Sequence, residues 1–125
     1  MLGDIMRLST NFTLAEMEHS QTALRLGIDN SPSIDIINSL KRLCIEILQP
    51  IRDHFGPVYI SSGYRCPALN KRIGGAANSQ HTRGEAADIV IAGVKPTRIC
   101  RWVIEAGLPF DQLIEEGTWT HVSVT

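Results

Sequence analysis

The stretch Ser79-Gln80-His81-Thr82-Arg83-Gly84-Glu85-Ala86-Ala87-Asp88-Ile89-Val90-Ile91 passes from small and polar residues into an apolar run. Residues 76 to 84 read as an exposed loop and Ala86 to Ile91 as a strand. The loop histidine and the strand aspartate can converge if the loop folds back, and Gly84 permits the backbone that such a fold-back needs. Upstream, Val58 to Ser61 lies between Gly56-Pro57 and Gly63 and gives a second short strand. Pro67 suits the first turn of a brief helix that runs through Arg72 and stops at Gly74-Gly75. Farther upstream, Ile37, Leu40, Cys44, Ile47 and Ile51 recur at spacings of three and four, which predicts an amphipathic helix from Ile34 to about Phe55. Pro50 falls inside it and is expected to kink the helix or end it nearby. Thr13-Leu14-Ala15-Glu16 has the capping-box form, so a helix starts at Thr13; it is over by Gly27, and the turn residues Asp29-Asn30-Ser31-Pro32 follow. Downstream, Pro96 opens a helix with Ile99, Val103 and Ala106 on its inner face and Gly107 closing it. Strands Phe110 to Glu116 and Trp119 to Val124, joined through Gly117, form a terminal hairpin. Helices come first and strands cluster later, which predicts an α+β domain with helices packed on a small, mainly antiparallel sheet.

Composition narrows the function. At 125 residues, one domain spanning 1–125 is expected. Hydrophobic residues at 43% and charged residues at 20% fit a chain that buries a core. Twelve Lys and Arg against thirteen Asp and Glu give a formal charge of -1, so the positive field of a general nucleic-acid binder is absent. No run approaches the ~18 apolar residues of a membrane span, and the first residues lack the basic start and apolar stretch of a secretory signal. Cys44, Cys66 and Cys100 are odd in number and widely spaced, so they read as reduced thiols of a protein made in a cytoplasm.

The chemistry centres on His81 and Asp88. Imidazole and carboxylate are both ordinary zinc ligands, but two make a poor site. The best third candidate is His121, in Trp119-Thr120-His121-Val122-Ser123-Val124, where alternation puts Trp119, His121 and Ser123 on one face. Two histidines and an aspartate leave one tetrahedral position open, the mark of a catalytic zinc. Water activated there benefits from a base, and Glu115 and Glu116 sit across the hairpin. Alternation gives Glu116 the face of Gln112 and Ile114 and Glu115 the opposite one, so only one of them points at the site. His19 and His54 have no such company and read as helix-surface residues. Cys66 beside Pro67 reads as structural and Trp119 as packing beside the site. Lys71, Arg72 and Arg83 read equally as a solvated patch or as a lure for anionic substrate.

These motifs resemble the M15 group of zinc peptidases: D-alanyl-D-alanine carboxypeptidases, dipeptidases and phage endopeptidases that cut bacterial cell-wall peptides. The resemblance rests on His-x-x-Gly-x-Ala-x-Asp at His81 to Asp88, on Ser61-Ser62-Gly63-Tyr64-Arg65, and on Trp119-Thr120-His121-Val122-Ser123. It implies a fold like that of the D-Ala-D-Ala peptidases and the hedgehog signalling domain. It also implies Zn²⁺ held by His81, Asp88 and His121, a nearby glutamate as base, and Arg65 on the substrate carbonyl or carboxylate, with Tyr64 and Ser79 beside the substrate. Many relatives place the base three residues before the final histidine, where this chain has Thr118, which cannot take a proton from water. Other branches carry a glutamate at the end of the preceding strand, which aligns with Glu116, with Glu115 in reserve. The resemblance implies hydrolysis of peptidoglycan stem peptides, at a D-Ala-D-Ala end or at an internal bond such as L-Ala-D-Glu. The expected protein is a monomer of phage or prophage origin, made without a signal peptide and reaching the wall after holin release. The competing readings are a zinc-stabilised wall-binding or phage structural module without turnover, and a zinc peptidase acting on other peptides.

Overall fold

A computed structural model of the chain describes residues 6–125. The order of elements is α1 (Leu14–Glu18), α2 (Gln21–Leu26), α3 (Ile34–Leu43), a π-helical turn (Cys44–Leu48), α4 (Gln49–Phe55), β1 (Tyr59–Ser62), α5 (Pro67–Arg72), a 3-10 turn (Gln80–Arg83), β2 (Ala86–Val90), α6 (Pro96–Glu105), β3 (Leu113–Glu115) and β4 (Thr120–Ser123). The strands form one antiparallel sheet in the order β1-β2-β4-β3. The fold is therefore α+β, as the order of helices and strands predicts. Among the described residues no helix is long and apolar enough to cross a membrane.

The capping box is present, with Thr13 Oγ1 accepting from Glu16 N–H and the Glu16 carboxylate accepting from Thr13 N–H. The single helix expected from Thr13 to Gly27 is instead two. The Met17 carbonyl accepts from Tyr64 N–H at 2.7 Å and the Glu18 carbonyl from Asn30 Nδ2 at 2.8 Å. These are the bonds that a continuing helix would have made, so α1 stops and Ser20 caps α2 afresh.

Pro50 does not end the main helix, and a π-helical turn lies immediately before it. Gln49 N–H reaches back five residues to the Cys44 carbonyl. That wider turn relieves the Glu46 carbonyl, against which the proline ring would press and whose partner amide proline lacks. The helix thus keeps Leu40, Leu43, Cys44, Ile47, Leu48 and Ile51 fully buried along one side. They pack on Ile60, Ala87, Ile89 and Val122 from the sheet and on Ile99 and Val103 of α6. Ala106, expected inward, lies exposed as the C-cap of α6. The later strands are shorter than predicted: β3 begins at Leu113, and the preceding residues are held by single bonds such as Asp111 N–H to the Ser123 carbonyl.

Candidate metal centre

The core-facing residues leave Asp88 and His121, direct register partners on the two inner strands, on the other face of the sheet. His81 reaches them from the 3-10 turn, so the reading of residues 76 to 84 as an exposed loop holds for 76–78 but not for His81, which is only 3% exposed. Ser79 Oγ accepts from His81 N–H to open the turn, and Gly84 closes it at φ +71°. At that backbone any other residue is strained, and a Cβ there would also meet the Ile36 carbonyl.

Each histidine is oriented by its outer nitrogen. His81 Nδ1 lies 2.8 Å from the Gly63 carbonyl. A carbonyl only accepts, so Nδ1 carries the proton and the lone pair of Nε2 faces Asp88 Oδ1 at 3.4 Å. His121 Nε2 lies 3.2 Å from Gln112 Oε1, and its Nδ1 lies 3.0 Å from the same Asp88 oxygen. With Nε2 donating to Gln112, three acceptor atoms converge, all within 4.8 Å of one another. Such a cluster is stable only around a cation or a shared proton. Ligand atoms around a tetrahedral zinc with bonds of ~2.0–2.2 Å stand ~3.3 Å apart, close to the distances found. The nitrogen, nitrogen and oxygen donors, each histidine backed by a carbonyl, therefore fit a divalent ion such as zinc.

Burial alone would raise the carboxyl of Asp88, but when the metal-free cluster instead holds a proton on the facing nitrogens, the hydrogen bonds and charges of His121 and His81 outweigh burial and hold it down at about 2. Burial lowers the Arg65 guanidinium, with Asp88 opposing the shift. Arg65 N–H donates to the His81 carbonyl, and its Nε is buried with no partner. The chain around it is pinned by Asn30, whose Nδ2 donates to the Tyr64 carbonyl and whose Oδ1 accepts from Cys66 N–H. The Tyr64 side chain lines a cleft with Arg65, and Ser79 lines a second cleft beside His121.

Glu115 is the last residue of β3, and Glu116 follows it. Ile114 is the partner of His121, whereas Glu115 pairs with the fully buried Thr120 on the opposite face. Glu115 lies near enough to α6 to raise the Cys100 thiol, although burial is the larger cause of that shift. Gln112 touches His121, whereas Glu116 is exposed just past the end of β3, and among the described residues no side-chain hydrogen bond ties it to the candidate ligands. Thr118 is exposed in the turn. Arg83 is bound to Glu85 and to the Asn78 carbonyl, so its charge is already engaged, whereas Lys71 and Arg72 are exposed.

Sequence reasoning missed Gln112 and Asn30 as supports and His19 as part of the Arg65 cleft. Gln112 had a usable signal, since alternation already placed it on the Glu116 face. Asn30 had none, because turn chemistry accounts for an asparagine beside Asp29 and Ser31.

A family model described as peptidase M15 matches residues 10–123, a span that includes all three candidate ligands, Arg65 and both glutamates. No curated protein matches the chain. The chain belongs to the peptidase M15 family.

Proposed function

We propose that this M15 peptidase hydrolyses peptide bonds in bacterial peptidoglycan stem peptides with one Zn²⁺ held by His81, Asp88 and His121. The observation that carries the reading is the convergence of three acceptor atoms behind two carbonyl-oriented imidazoles. Bound zinc would supply Lewis acidity toward water and the scissile carbonyl. Glu116 takes the proton of the attacking water and returns it to the leaving amine. Arg65, with a buried Nε that lacks a partner, donates to the oxyanion as it forms or anchors a substrate carboxylate. Tyr64 and Ser79 border the bound peptide. The protein works as a monomer at the cell wall, in phage lysis or wall remodelling.

The test is incubation of zinc-loaded protein with purified peptidoglycan, with and without chelator, followed by mass spectrometry of released fragments. Chelator-sensitive fragments are expected. With zinc verified as bound, no release from several wall chemotypes overturns the proposal in favour of a zinc-stabilised binding module. Cleavage confined to peptides of L-residues moves the substrate away from the wall.

A further inference from the structure

Ile99 and Val103 turn α6 onto the core face of the sheet, so the exposed side of that helix looks away from Asp88 and His121. That side opens a cleft of ≈ 300 Å³ lined by Gly93, Lys95, Thr97, Arg98 and Arg101. The chain as a whole has a formal charge of -1, yet three cations and no carboxylate line this cleft. Glu105, the one carboxylate of α6, ends the helix and takes no part in the lining. Lys95, Arg98 and Arg101 are exposed, and among the described residues none of them joins a salt bridge. Like charges crowded into one cleft repel one another, and an anion among them removes that repulsion.

One of the cations is set in place beforehand. The Arg98 guanidinium stands over the Phe55 ring, 5.7 Å from its centroid, a cation–π contact that limits its freedom. Phe55 is in turn edge-on to Trp102 and His54, with centroids 5.6 and 4.6 Å away, and His54 stacks on Trp102 at 4.4 Å. An arginine already ordered by its neighbours loses less entropy when it meets a ligand. A carboxylate is satisfied by one guanidinium fork, whereas a phosphate presents oxygens in several directions at once. Two guanidiniums and an ammonium around one cleft, with Thr97 between them, match the phosphate. Exposed ion pairs are individually weak, so a lone phosphate is held loosely, while a chain of repeating phosphates rebinds as each one leaves.

We infer that the cleft of Lys95, Arg98 and Arg101 is a binding site for phosphoryl groups, occupied by a phosphodiester-linked polyanion. The polymer is held on the far side of the sheet from the metal centre and binds without obstructing it.

Calorimetric titration of the whole protein with poly(glycerol phosphate) tests this, and because binding is the readout, turnover does not enter. Poly-L-glutamate of matched charge and vesicles containing phosphatidylglycerol are the comparison arms. The phosphate polymer is expected to bind, and poly-L-glutamate to bind more weakly. Lys95→Gln, Arg98→Gln and Arg101→Gln should each weaken the polymer about 2- to 5-fold, the range for an exposed charge pair, and the three together about 10- to 100-fold. Arg98→Gln with Arg101→Gln is set against Arg25→Gln with Lys41→Gln, which removes two exposed charges from α2 and α3 and should leave binding nearly unchanged. All these positions are exposed, and thermal melts check that each variant is folded. Absence of polymer binding, an undiminished affinity in the triple variant, or an equal loss in the two double variants overturns the site. Equal binding of poly-L-glutamate overturns the preference for phosphate, and binding to the vesicles alone overturns the polymer in favour of a lipid headgroup.

Discussion

Replacing Gly63 by alanine tests how the metal centre is held, because Gly63 serves it through backbone alone. An added Cβ would overlap the Met17 carbonyl oxygen and stand 3.0 Å from both the carbonyl carbon and the Cα of Met17. Those are backbone atoms of a residue that is fully buried, so no side-chain rotation relieves the clash. Overpacking of this kind costs about 1–3 kcal/mol. Separating the strands of chain also strains the 2.7 Å bond from Tyr64 N–H to Met17, a further loss of about 1 kcal/mol. A destabilisation of about 2–4 kcal/mol follows, which for a chain of this size lowers the melting temperature by roughly 8–16 °C. The Gly63 carbonyl is also the acceptor for His81 Nδ1, so its displacement turns the imidazole away from Asp88. Loss of such an outer-shell partner lowers metal affinity by about 10- to 100-fold. Thermal melts of the metal-free protein, together with zinc titration against a competing chelator, measure the two effects separately. A Gly63→Ala protein that melts with the wild type and binds zinc as tightly would refute the argument that this carbonyl is fixed by close approach and orients His81.

Other substitutions and conditions have equally definite outcomes. Glu116→Gln is expected to keep zinc and lose about 10²- to 10⁴-fold in kcat, the range for a removed general base. Glu115→Gln, on the face toward α6, should leave the rate nearly unchanged, and a reversed order in the two rates would exchange their roles. Because Asp88 is held down at about 2 in the folded protein, against an ordinary 3.8, its contribution is complete above about pH 4 and is lost as pH falls through 2. In metal-free protein that loss amounts to about 2 kcal/mol, read from urea unfolding across this range, and Asp88→Asn should abolish the dependence. Burial pushes the Cys44 thiol up to about 12 and also raises Cys100, so alkylation of native protein at mild pH should mark Cys66 first. Early labelling of Cys44 would show that the core opens more readily than its packing implies.

The elements legible in the sequence were those written in local chemistry. The capping box at Thr13, the prolines that open α5 and α6, and the three-four spacing of the main helix all became what they predict. The grouping of His81, Asp88 and His121 was likewise legible, and the structure brings the three together as a cluster that could hold a metal ion. Most of the failures lie where a partner distant in the chain decides the outcome. The break between α1 and α2 depends on Tyr64 and Asn30 taking carbonyls that a continuing helix would use. The burial of His81 depends on Gly63, 18 residues away, and the place of His19 in the Arg65 cleft depends on where β1 docks. The π-helical turn before Pro50 is different, a local solution to a local obstacle for which the sequence offers more than one answer.

The strand order carries a consequence for how protection from solvent should be distributed. Asp88 and His121 sit on β2 and β4, each of which is bonded to a neighbour on both edges, whereas β1 and β3 each leave one edge free. Amide hydrogens of β2 and β4 should therefore exchange with deuterium only by the largest opening of the molecule, and those of β3 and α2 by smaller local ones. A metal ion held by the proposed ligands would join β2 to β4 and to the turn at His81, and should slow exchange in the already protected centre and leave the α1–α2 rim almost as it was. A protein built this way can loosen and remould its α1–α2 rim while the two inner strands that carry Asp88 and His121 stay closed.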